Sequence, residues 1–257
     1  MPRILILNPN TSESATKYME EECRKIAAPG TEILAANPKA KEGCNIPTIL
    51  SYVDSAICAV ETIKVAWEDR SNCDGVIVAG FSDPGLDALK EILDIPVVGI
   101  GEAAYHAASM LGHRFSILTT TPKWTPPKDD YIMAVGLKSK VASIVPHGGF
   151  EDELPKYLTG SPAWKDLLHG YFSSAARKAI EQDGAEAIIL GGGSYMGFAD
   201  SLQRELRAPV IEPTAVALKF MEGFLRLGLA QSKVCRWKKP IEALGQYRYD
   251  RGLSSLD

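Results

Sequence analysis

The stretch Cys73-Asp74-Gly75-Val76-Ile77-Val78-Ala79-Gly80-Phe81-Ser82-Asp83-Pro84-Gly85 decides the fold, because it has a counterpart. The counterpart is Ala185-Glu186-Ala187-Ile188-Ile189-Leu190-Gly191-Gly192-Gly193-Ser194-Tyr195-Met196-Gly197. Each is a short apolar run that meets glycines and then a helix-start signal, the pattern of a buried parallel strand delivering groups to a cleft. Working outward, Arg3-Ile4-Leu5-Ile6-Leu7-Asn8-Pro9-Asn10 resembles Arg114-Phe115-Ser116-Ile117-Leu118-Thr119-Thr120-Thr121, and Pro96-Val97-Val98 matches Pro209-Val210-Ile211. Three matches in the same order at a nearly constant offset imply two related halves.

The rest of the chain alternates between strand and helix patterns. Strand-like runs cover Ile4 to Leu7, Glu32 to Ala35, Gly75 to Ala79, Val97 to Ile100, Phe115 to Leu118, Val141 to Val145, Ala187 to Leu190 and Val210 to Ile211. Helical patterns cover Ser12 to Ala27, Val53 to Trp67, Leu86 to Ile92, Ala103 to Leu111, Ala163 to Gln182, Ala199 to Leu206 and Ala215 to Leu227. The alternation predicts an α/β protein with two pseudo-symmetric lobes, each a short, mostly parallel sheet flanked by helices. The expected division is 1–98 with 213–230 as the first lobe, 99–212 as the second, and 231–257 as a C-terminal extension. Ligands of open parallel sheets bind beyond the carboxyl ends of the strands, so one small site is expected between the lobes. Its walls would be Asn8 to Thr11, Gly80 to Asp83, Thr119 to Thr121 and Gly192 to Tyr195.

Composition narrows the functional classes. A chain of 257 residues, 46% apolar and 23% charged, can bury a sizeable core. Its formal net charge of -4 offers no global attraction to nucleic acid or to an anionic membrane. No apolar run reaches the roughly 18 residues of a spanning helix, and the N-terminal run reads as a first strand rather than a signal peptide. The expectation is a cytoplasmic protein that binds a small molecule, forms a homo-oligomer, and engages neither nucleic acid nor membrane. The five cysteines have no metal-ligand spacing, so no metal and no disulfide framework is expected. Cys58 and Cys73 read as core or strand-edge residues, and Cys44, in a polar stretch, is left open as a reactive thiol.

The runs Ile6-Leu7-Asn8-Pro9-Asn10-Thr11-Ser12, Phe81-Ser82-Asp83-Pro84-Gly85-Leu86-Asp87, Ile95 to Ala104 and Phe115-Ser116-Ile117-Leu118-Thr119-Thr120 resemble the hydantoin and allantoin racemases of the aspartate/glutamate racemase superfamily. The resemblance extends over residues 3 to 228. It implies a cofactor-free site between two lobes, in which one cysteine removes the proton next to a carbonyl and a second returns it from the opposite face. Those two positions fall on Gly80 and Gly192, which carry no thiol, so the resemblance does not extend to a two-thiol racemisation. Arylmalonate decarboxylase, a relative that keeps only the second cysteine, differs at this position too.

The reading that follows is a cofactor-independent isomerase, cyclase or decarboxylase acting on a small carbonyl or carboxylate compound through an enolate-like state. Its rivals are a catalytically inactive binding paralogue and a racemase with acid and base groups other than cysteine. Catalytic candidates are Tyr195, His147, Ser82 and Thr119. Tyr195 is an ionisable side chain in the second glycine turn, His147 sits in a glycine loop, and the two hydroxyls can donate to an oxyanion. Substrate-binding candidates are Asn8, Asn10, Thr11, Gly80, Phe81, Thr120, Gly192, Gly193 and Ser194.

Several of these residues also have a structural reading. Asn10 or Thr11 can cap the helix at Ser12, Asp83 before Pro84 reads as a normal helix start, and the glycines permit close backbone approach. Two missing side chains at Gly80 and Gly192 would also enlarge the pocket. Glu102 and His106 read as helix-start residues, and Trp124 as either a lid or a packing anchor. The basic residues of the extension, Arg236, Lys238, Lys239, Arg248 and Arg251, are read as packing along the body or a neighbouring subunit rather than on nucleic acid.

Overall fold

The computed structural model describes residues 1–148 and 163–239. Among these residues, eight strands form two four-stranded parallel sheets of the same internal order. The first is β2-β1-β3-β4, from β1 (Arg3–Leu7), β2 (Glu32–Ala36), β3 (Gly75–Val78) and β4 (Val97–Gly99). The second is β6-β5-β7-β8, from β5 (Phe115–Thr119), β6 (Val141–Pro146), β7 (Ala187–Leu190) and β8 (Val210–Ile211). Each strand of the repeat therefore occupies the same place in its own sheet, and β3 and β7 are buried along their whole length. That explains their unbroken apolar runs, since helices cover both faces.

Among the described residues the helices are α1 (Glu13–Ile26), α2 (Tyr52–Asp69), α3 (Leu86–Ile92), α4 (Ile100–Leu111), α5 (Thr125–Ala134), α6 (Ala163–Asp183), α7 (Ala199–Leu206) and α8 (Pro213–Leu227). All strands and seven of these helices fall where the sequence pattern predicts them. Helix α5 does not: the proline-rich segment reads as a turn, yet Pro126 and Pro127 occupy its first turn, where a missing N–H costs nothing.

The halves share one core. Ile4, Ile6 and Ile77 from the first sheet and Ile117 and Ile189 from the second belong to a single buried cluster that includes Tyr105 of α4. The Tyr105 ring lies 5.4 Å from Phe81 and 6.5 Å from Phe115, joining the two sheets. Helix α4 starts directly after β4 and packs on β7 and α8, while α8 packs back on β3 and β4.

Asp83 fixes the start of α4. Its carboxylate accepts N–H bonds from Gly101 at 3.0 Å and Glu102 at 2.8 Å. The expected role of Asp83 at the next helix in sequence is thereby corrected, because α3 begins behind Gly85, which has a left-handed backbone and no side-chain cap. Holding Asp83 there demands a positive φ of 47° from a residue other than glycine. Burial pushes its carboxyl up to about 8, against the two N–H groups that favour the charged form.

The extension lies along the body through Lys239. Gln231 trades both amide groups with the Val97 backbone, accepting at 2.8 Å and donating at 2.7 Å, so it continues the edge of the first sheet. Arg236 and the Trp237 indole both donate to Asp87. Arg248 and Arg251 lie outside the described residues. Among the described residues, no helix is long and apolar enough to cross a membrane.

Candidate active site

Beyond the carboxyl ends of β1, β3, β5 and β7 lies a cleft of about 140 Å³. All four expected turns contribute to its wall: Asn8 and Asn10, Gly80 to Ser82, Thr120, and Gly192 to Tyr195. The remaining lining includes Thr48 and Ile49 from the segment before α2, and Trp124 and Lys128 from the α5 region.

The first turn is held from within. The buried Asn8 side chain donates to Asn10 Oδ1, the Ser12 carbonyl and Thr16 Oγ1 at 2.9 to 3.2 Å, which fixes the loop against α1. Ser12 itself is the helix cap, accepting from the Ala15 N–H, in place of Asn10 or Thr11. Thr11 is buried, donates its N–H to the Ile46 carbonyl and does not line the cleft.

The threonine run divides. Thr119 is the last residue of β5 and fully buried, whereas Thr120 follows it into the cleft wall. The cleft lining includes Thr120 and not Thr119. Thr119 is thus placed beneath the site, and its backbone carbonyl accepts the His147 N–H at 2.9 Å.

The glycines are explained by contact rather than by vacancy. A Cβ on Gly193 would overlap the Ala79 carbonyl of the opposite half, and one on Gly191 would overlap the Leu118 carbonyl. At Gly192 a Cβ would fall 2.6 Å from the Tyr195 ring, and at Gly80 it would fall 2.5 Å from Pro9 Cγ. The space expected at Gly80 and Gly192 is therefore already occupied by Pro9 and Tyr195.

Tyr195 and His147 come together. The Tyr195 hydroxyl lies 3.2 Å from His147 Nε2, and His147 Nδ1 lies 2.9 Å from the Gly148 carbonyl. A carbonyl can only accept, so Nδ1 carries the proton and Nε2 receives the phenolic hydrogen. Both rings are buried against Phe172. Burial depresses the imidazole pKa to about 4, only partly opposed by the Gly148 carbonyl, and keeps the ring neutral.

Lys128 is the residue that sequence reading missed. It is 8% exposed and lines the cleft, and its ammonium lies 5.5 Å from the Phe81 ring centre and 5.9 Å from that of Trp124. Its hydrogen bond to the Trp124 carbonyl is 3.4 Å long. Burial lowers its pKa to about 8. Trp124 packs with Tyr52 while also lining the cleft, so it is an anchor and a wall at once.

Other candidates lie elsewhere. His106 is exposed, and Glu102, which does not line the cleft, pairs with Lys90 at 2.5 Å. Cys44 is buried beside Cys58, and burial raises its pKa, the opposite of what a reactive thiol needs. None of the five cysteines lines the cleft.

Comparison with known proteins agrees with this architecture. The profile of the family described as Asp/Glu/Hydantoin racemase matches residues 4–221. A hydantoin racemase of Paenarthrobacter aurescens is 35% identical over 245 residues, which cover 93% of this chain and 98% of that protein. The structure of an allantoin racemase from Klebsiella pneumoniae superposes with a TM-score of 0.82 at 36% identity, covering 94% of this chain and 95% of that one. Arylmalonate decarboxylase, at 14% identity and a TM-score of 0.58, shares the fold. With a family match over residues 4–221, a relative 35% identical across nearly the whole chain and a closely superposing fold, the chain belongs to the Asp/Glu/hydantoin racemase family.

Proposed function

We propose that the protein is a cofactor-independent isomerase that moves a proton at the carbon beside a carbonyl, using oxygen and nitrogen groups where its relatives' reaction is expected to use thiols. The observation that carries the reading is the 3.2 Å contact between Tyr195, which lines the cleft, and a neutral, buried His147.

The step balances within that pair. As the substrate C–H bond breaks, its proton passes to the Tyr195 oxygen while the phenolic hydrogen moves to His147 Nε2. The C–H electron pair becomes the enolate, whose oxygen takes hydrogen bonds from Ser82, Thr120 and backbone N–H groups of the glycine turns. Return of a proton to the opposite face of the enolate, or to another of its atoms, completes the isomerisation, whereas return by the same path restores the substrate and registers only as exchange. A neutral imidazole suits the accepting role, since an imidazolium could not receive the phenolic hydrogen. The same enolate, reached by loss of carbon dioxide or captured by a second carbonyl, would yield decarboxylation or cyclisation. Product analysis separates these outcomes.

The test is deuterium incorporation from D2O into 5-substituted hydantoins and small oxo acids, followed by NMR with wild type and Tyr195→Phe. Exchange that Tyr195→Phe abolishes supports the proposal. Saturable binding of these compounds with no exchange and no turnover overturns it in favour of a binding protein.

A further inference from the structure

We infer that Lys128 is a specificity-determining residue that selects substrates carrying a negatively charged oxygen, a carboxylate in the first instance, and disfavours neutral carbonyl compounds. The reading rests on the cleft being a substrate site, as proposed above, but not on the chemistry proposed there.

The argument begins from solvation. An ammonium group taken out of water loses its hydration and requires compensation from a counter-charge or from several good acceptors. Lys128 is nearly buried, yet among the described residues no carboxylate lies within ion-pair distance of it, and its hydrogen bond to the Trp124 carbonyl is long. What surrounds the charge instead is aromatic: the Phe81 and Trp124 rings, whose negative faces favour a cation without neutralising it.

The cleft wall completes the picture. Among the described residues its lining contains one cation and no aspartate or glutamate. The other polar lining side chains, Asn10, Ser82, Thr120 and Ser194 among them, are all able to donate hydrogen bonds. The nearest buried acid in sequence to this wall, Asp83, is turned away into the start of α4. A small organic anion entering this space meets donors and a cation whose missing partner is the anion itself. A neutral ligand of the same shape would leave Lys128 uncompensated.

The experiment compares malonate with its neutral diamide, malonamide, by calorimetric titration at pH 7 against wild type, Lys128→Met and Lys128→Arg. Wild type is expected to bind malonate at least tenfold more tightly than malonamide. Lys128→Met should erase that preference while leaving malonamide affinity within about twofold, and Lys128→Arg should retain most of it. Because methionine fills similar volume without a charge, Lys128→Met should fold at least as stably as wild type, as judged by its melting temperature. A lysine kept for stability would give the opposite shift.

The wild-type ratio needs no variant, so the inference can be tested even if Lys128→Met misfolds. Equal affinities in wild type, no binding of either compound, or a preference that survives Lys128→Met would overturn the inference. So would a covalent imine at Lys128 trapped by borohydride with a small oxo acid, since a neutral amine nucleophile is a different role. If Tyr195→Phe loses deuterium exchange and keeps the malonate preference, both readings stand. If wild type shows the preference and no exchange, only the proton-transfer reading fails.

Discussion

The Tyr195 ring occupies the volume that a side chain on Gly192 would need, its Cδ2 and Cε2 atoms lying 2.6 Å from an ideal Cβ there. The glycine and the tyrosine are therefore one unit: the phenol packs where it does because position 192 is bare. Gly192→Cys should displace the ring, break the bond to His147, and destabilise the protein by about 1–3 kcal/mol. Adding Tyr195→Ala should recover part of that loss, so urea denaturation of the two single variants and the double variant should give a non-additive cycle. Gly193→Ala should be worse than Gly192→Ala, because its obstacle is the Ala79 backbone carbonyl rather than a side chain that can turn.

Removing the phenolic oxygen should act on turnover more than on folding. Tyr195→Phe preserves the contacts with Phe172 and leaves His147 Nε2 without its donor, at a cost of about 1–2 kcal/mol. Deuterium exchange into a responsive substrate should fall by about 10²–10⁴-fold, the usual worth of a positioned acid or base. A variant exchanging at the wild-type rate would remove Tyr195 from the mechanism.

His147 sets an acid limit on stability. Its folded pKa, about 4, lies below the value near 6.5 of an exposed histidine. The contribution of the buried neutral ring is therefore fully present above about pH 6.5 and is lost as pH falls from there through 4, because the unfolded chain takes up the proton first. The loss over that window is on the order of 3 kcal/mol. Melting temperatures of wild type should drop across it, and those of His147→Gln should drop less.

Asp83 should matter to both halves. Asp83→Ala leaves the N–H groups of Gly101 and Glu102 without their acceptor at the start of a helix that touches both sheets. The expected loss is about 1–3 kcal/mol by urea midpoint, with α4 amides exchanging faster than those of α1. Unchanged α4 exchange would mean that water replaces the carboxylate at no cost.

The eight strands were legible because parallel strands buried on both faces must be apolar throughout, and the repeat predicted two pseudo-symmetric lobes, with which the shared strand order agrees. What escaped was helix α5. Its apolar residues follow no helical face, and Pro126-Pro127 reads as a turn until one sees that both prolines sit in the first helical turn. Lys128 was lost with it, because a lysine in a polar stretch gives no sign of burial. The pairing of His147 with Tyr195, residues 48 apart, likewise depends on how β6 and β7 flank β5. Cys44 failed in the other direction: its polar neighbours in sequence are not its neighbours in space, where it packs with Cys58 and Ile46.

The near-touching of Gly193 and the Ala79 carbonyl has a bearing on how such a protein can change. Peptide against peptide sets the gap between the two halves at that point, so the aperture is indifferent to whichever side chains line it. Side chains around the rim, the packed glycines apart, can be exchanged, by drift or by design, without prying the scaffold open or letting it collapse. A change of chemistry on this frame is then a matter of refitting the rim, with the masonry left standing.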